Sequence, residues 1–118
     1  MTAPPNRPAQ AEMIGDGLCT HILVTLKVRD DVDFEKARGL MRDEMIATSH
    51  LYLNGKIEQW FSQLDERGVV FLFNTTNIEE TRSLMADLPL VKAKLVDLHF
   101  TRLGPLLPMR ALLGTINA

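Results

Sequence analysis

The chain has only one cysteine, Cys19. That excludes an intramolecular disulfide and leaves no basis for a cysteine-built metal site. No apolar run approaches the roughly 20 residues needed to span a bilayer, so no membrane partner is expected. The opening stretch MTAPPNRPAQAEMIGDG lacks the apolar core of a secretory signal, which makes the cytoplasm the expected location. No basic run or aromatic-interleaved basic patch occurs, and the formal net charge is -2. Nucleic acid is therefore not an expected partner. Metal-ligand spacings, glycine-rich phosphate loops and nucleophile elbows are missing as well. Those chemistries demand local signatures, so neither a metal nor another cofactor is expected.

What is present reads as one domain. The 118 residues are 46% hydrophobic and 24% charged, an ordinary globular composition. Residues 1–17 hold Pro4, Pro5 and Pro8 with almost no large apolar side chain, and read as a mobile arm. Residues 18–104 carry the periodic pattern of a folded unit. Residues 105–118 form an apolar tail, expected to pack on a partner subunit or over a cavity.

Within that unit, Ile22, Val24, Leu26 and Val28 alternate with His21, Leu23, Thr25 and Lys27, the pattern of a strand with one apolar face. Asp31 and Asp33 are N-cap candidates for a helix whose Phe34, Ala37, Met41, Met45 and Thr48 fall at helical spacing. Asn54-Gly55 stops it. KIEQWFSQ and VVFLFN read as two strands joined by the turn DERG. Asn77 with Glu80 has capping-box spacing for a second amphipathic helix that ends near Pro89. The last strand is VDLHFTRL. The order strand-helix-strand-strand-helix-strand predicts an α+β, ferredoxin-like βαββαβ unit with one antiparallel sheet and both helices on one face.

Two helices leave the other sheet face uncovered. On it the alternation places His21 and Thr25 from the first strand with Asp97, His99 and Thr101 from the last. Apolar residues of the third strand join them, as does one of Trp60 and Phe61. So mixed a face is a poor surface for open water. It is expected to close against a second sheet around a cavity. An imidazole facing such a cavity can move a proton at neutral pH. His99 and His21 are thus the candidate acid–base residues, with Asp97 orienting or stabilising one of them. Thr25, Thr101, Tyr52, His50 and Trp60 are the candidate substrate-binding residues. Glu58 is expected to share a face with Trp60. Arg38, Arg42 and Glu44 read as a solvated helix face, and Met41, Met45 and Met85 as core.

The second half of the chain resembles the muconolactone isomerase-like dimeric α+β barrel family. The resemblance lies in Gly55-Lys56 before a Trp-bearing strand, an apolar third strand, and an acidic-capped helix ending in Leu88-Pro89-Leu90. It continues in a last strand of the form Asp97-x-x-x-Thr101-x-Leu103. This chain has His99 where the family pattern has an acidic residue. The resemblance implies a dimeric α+β barrel, a homodimer or higher homo-oligomer with a small-molecule substrate. Together with the candidate histidines, it favours a cofactor-free isomerase acting on a cyclic carbonyl or lactone by His-mediated proton transfer. A polyketide-type aromatic cyclase or a cofactor-independent monooxygenase would use the same cavity. A non-catalytic small-molecule-binding or dimerisation module is the remaining alternative.

Overall fold

Residues 18–109, 112 and 113 are described by the computed structural model. Strand β1 (His21–Val28) carries out its alternation strictly: Ile22, Val24 and Leu26 are buried, and the residues between them are only half-buried. Helix α1 (Phe34–Leu53) starts where the Asp33 side chain accepts the Glu35 amide at 2.9 Å. It stops at Gly55, whose φ of 79° suits a residue without Cβ. There the Gly55 amide donates to the Tyr52 carbonyl and the Lys56 amide to the Leu51 carbonyl, the paired bonds of a Schellman motif.

Strand β2 (Ile57–Gln63) and strand β3 (Gly68–Phe73) form a hairpin. Helix α2 (Ile78–Ala86) is capped by the Asn77 side chain, which accepts the Glu80 amide at 3.0 Å. The reciprocal half of a capping box is not used, because the Glu80 carboxylate pairs with Lys56 Nζ at 2.9 Å. Pro89 opens the single turn α3 (Pro89–Lys92), where its missing amide costs no bond. Lys94, at a φ of 60°, turns the chain into β4 (Val96–Leu103).

The sheet order is β2-β3-β1-β4, antiparallel throughout. The fold is therefore α+β with one four-stranded antiparallel sheet, consistent with the expected ferredoxin-like unit. Side chains directly opposite in an antiparallel pair share a face. One face carries Ile22, Val24 and Leu26 with Phe71 and Phe73, and on these pack Met85 and Leu88 from the helical side. Full burial of each such side chain stabilises the fold by ~1.5–3 kcal/mol. Leu23, Thr25, Val70, Leu72, Phe61, His99 and Thr101 lie on the other face.

Three expectations change here. Glu44 is not on a solvated face: it is 5% exposed. Met41 and Met45 are not core, since both are exposed while Met85 is fully buried. Trp60 and Glu58 do not share a face. The register shifts between Ile57 and Gln59, so Trp60 pairs with buried Phe71 while Glu58 reaches His21. The tail begins with Leu106 exposed, and Met109, Leu112 and Leu113 are exposed too. The arm, residues 1–17, lies outside the described residues.

Candidate functional site

The open sheet face gathers five of the eight residues singled out above, but does not bring them into one cluster. His99 lies directly opposite Thr25, and Thr101 opposite Leu23. His21 is opposite Leu103, four positions further along β1, which separates the two histidines by about 13 Å of strand. Both nitrogens of His21 are occupied: Nε2 lies 3.1 Å from Glu58 Oε1 and Nδ1 2.8 Å from Thr20 Oγ1. Asp97, His99 and Thr101 are exposed along the edge strand β4. Asp97 and His99 stand two residues apart on one face, about 7 Å along the strand, and no hydrogen bond joins them among the described residues.

Tyr52, Trp60 and His50 belong to the helical side of the sheet. Tyr52 meets Trp60 edge-on, with centroids 4.7 Å apart and planes at 66°. His50 is exposed in the last turn of α1, where its carbonyl accepts the Asn54 amide.

That helical side contains a cavity of about 590 Å³ between α1 and the strands, within the range of small-molecule pockets. Trp60, Phe71, Val69 and Leu26 form its floor, and Phe34, Met41 and Met45 its helical wall. Its shape follows from the inner stripe of α1. Ala37, Met41, Glu44, Met45 and Thr48 recur at i, i+4, i+7, i+8 and i+11, one helix face. The small Ala37 and Thr48 leave space, and the flexible methionines edge it without filling it.

Two carboxyl groups belong to the cavity lining, exposed Glu66 and buried Glu44. Glu44 lines the cavity, and its Oε1 accepts the Leu90 amide at 3.0 Å. Its other oxygen has no hydrogen-bond partner among the described residues. Burial raises the Glu44 pKa above the ordinary carboxyl range, while the bond from Leu90 works in the opposite direction. Thr48 Oγ1 donates to the Glu44 carbonyl at 3.0 Å, tying the helix backbone rather than the carboxyl. The indole N–H of Trp60 and the hydroxyl of Ser62 also belong to lining residues and have no partner among the described residues.

No protein-family model and no curated protein matches the chain. The side chains alone carry the functional reading. A carboxyl held in apolar surroundings with a raised pKa is a recurrent acid–base device. Among the described residues, no group of three or more His, Cys, Asp or Glu could hold a metal ion. No helix among them is long and apolar enough to cross a membrane.

Glu44 is the residue that sequence reasoning missed. Its signal was present, since it lies seven residues after Ala37 and four before Thr48, on the apolar stripe. Charge alone assigned it to water.

Proposed function

We propose that the chain is a cofactor-free acid–base enzyme, an isomerase of small cyclic carbonyl compounds or lactones, with Glu44 as its proton-transfer group. The observation that carries this is a carboxyl group 5% exposed, lining an apolar cavity, with its pKa raised by burial. In the ionised form Glu44 takes a proton from carbon next to the substrate carbonyl. The C–H bond breaks, a carboxyl O–H forms, and the electron pair moves onto the carbonyl oxygen. The Trp60 indole N–H and the Ser62 hydroxyl are donors for that oxyanion. Glu44 then returns the proton to a remote carbon of the conjugated system, so the double bond shifts and the enzyme is regenerated. Raised basicity suits a carboxylate to this task.

The resemblance to muconolactone isomerase-like proteins supports the same reaction class. It also supports a dimer in which two open sheet faces meet and close a barrel. Phe61, 59% exposed on that face beside half-buried Leu23, Val70 and Leu72, is the contact surface such a dimer would cover. His99, Thr101 and Thr25 then lie at the interface, and the exposed leucines of the tail have a neighbouring subunit to cover them.

A second reading, a small-molecule binder without turnover, is favoured by the bond that already occupies one Glu44 oxygen. Deuterium uptake from heavy water into a panel of lactones and cyclic enones separates the two. The enzyme reading expects uptake with the wild-type chain and a drop of ~10²–10⁴-fold in Glu44→Gln. Uptake that persists in Glu44→Gln but is lost in His99→Ala would return the role to the strand histidine. Binding without uptake by any variant would establish the binder.

A further inference from the structure

Four charged residues line the helix-side cavity: Arg38, Glu44, Glu66 and Arg67. Three of them each have one polar partner. Arg38 Nη1 lies 3.2 Å from Glu35 Oε1, and Glu66 Oε1 lies 3.4 Å from Lys27 Nζ. Glu44 takes the Leu90 amide. Arg67 has no carboxylate partner among the described residues, and its side chain is instead stacked on an aromatic ring. Its Cζ sits 3.7 Å from the centroid of Phe34, which also lines the cavity. That contact uses the flat face of the guanidinium and leaves its N–H edges available.

The cavity therefore has two chemically different ends. Phe34 is the first residue of α1 and Glu44 lies ten residues further on, about 15 Å of helix. The walls between them are mainly apolar, with Arg38, Ser62 and Gln63 as polar exceptions. An anion placed beside Glu44 would face a buried carboxyl, whereas one placed at Phe34 meets an unpaired guanidinium. Orientation follows from that asymmetry. A single guanidinium fork matches the two oxygens of a carboxylate.

We infer that the cavity takes an elongated apolar carboxylic acid, its carboxylate held by Arg67 and its reactive end directed toward Glu44. This rests on the reading of the cavity as a small-molecule site, and it narrows the substrate class. A lone five-membered lactone would span only part of the distance. A two-ring acid, or a ring extended by a short chain, reaches both ends.

The test uses the full chain and the fluorescence of Trp60, the only tryptophan, whose side chain lines the cavity. Biphenylcarboxylic acid and its uncharged primary amide have nearly the same shape and differ in charge. The acid is expected to bind the wild type about tenfold more tightly than the amide, the range of a charge-assisted hydrogen bond. Arg67→Met should abolish that preference, and Arg67→Lys should restore part of it. Glu44→Gln should leave it in place. Equal binding of acid and amide by the wild type would overturn the inference while leaving the cavity reading intact. A preference that survives in Arg67→Met would do the same. If neither probe binds wild type or Glu44→Gln, the cavity reading fails and the inference fails with it.

Discussion

In the proposed reaction one side chain, Glu44, moves the proton. A carboxyl group usually reaches water, and burying one is costly unless its charge is offset or lost. Here the offset is one amide bond from Leu90, and desolvation is the larger influence on the pKa. The sign of the pH effect follows. Unfolded, the group titrates near its ordinary 4.5, and in the folded chain it titrates higher. Between those values the native state holds more of the proton, so Glu44 favours folding least as the pH rises. Its stabilising protonated form is fully present below the unfolded value and is lost as pH passes the folded one. Glu44→Gln keeps an acceptor for Leu90 and removes the titration. Urea unfolding across a pH series should show the variant near wild type in acid and progressively more stable than wild type toward neutrality. A difference that stays constant with pH would show that the carboxyl is not held in a raised-pKa environment.

At the scale of elements, one irregularity in β2 decides which chemistry lies on which side of the sheet. A regular strand would place Ile57, Gln59 and Phe61 on one face. The shift between Ile57 and Gln59 adds one residue, and beyond it every side chain changes sides. Trp60 thus joins buried Ile57 on the helical side, Phe61 is turned to the open face, and Glu58 reaches His21. The other end of the hairpin is held as tightly. A Cβ on Gly68 would collide with the Leu26 carbonyl and with Gln63 Oε1. The latter atom is buried without a hydrogen-bond partner among the described residues. The amide can turn aside, but the backbone carbonyl belongs to the β1–β3 pairing. Gly68→Ala should lower stability by about 1–3 kcal/mol, as overpacking does, seen as a lower urea midpoint with an unchanged slope. An unchanged midpoint would mean that the strands can part at no cost.

At the scale of the whole molecule, the sheet separates two candidate sites. The helical side holds an open-mouthed cavity with a buried carboxyl. The open side holds His21, His99, Asp97 and Thr101 around a strip of apolar residues. Among the described residues nothing covers the latter face, and in the proposed dimer the partner's sheet would enclose its histidines. Phe61→Glu places a charge on the β2 edge of that face without touching the core. Sedimentation equilibrium should find the wild type dimeric and the variant monomeric, both folded by circular dichroism. A monomeric wild type would remove the face-to-face dimer and with it the barrel.

Much was legible in the residues themselves. The alternation in β1 and β4, the Asp33 and Asn77 caps, the Asn54-Gly55 stop and the order of elements follow from period and cap chemistry within a few residues. The alternation also placed Thr25 and His99 on one face. Tertiary structure decided that Glu44, which its stripe position suggests but its charge argues against, is buried, that Trp60 rather than Phe61 faces the helices, and that His21 is engaged by Glu58 across 37 positions. The reason is physical. Period and capping are properties of neighbouring residues, whereas the desolvation of a carboxyl or the partner of an imidazole depends on which distant segments lie over it.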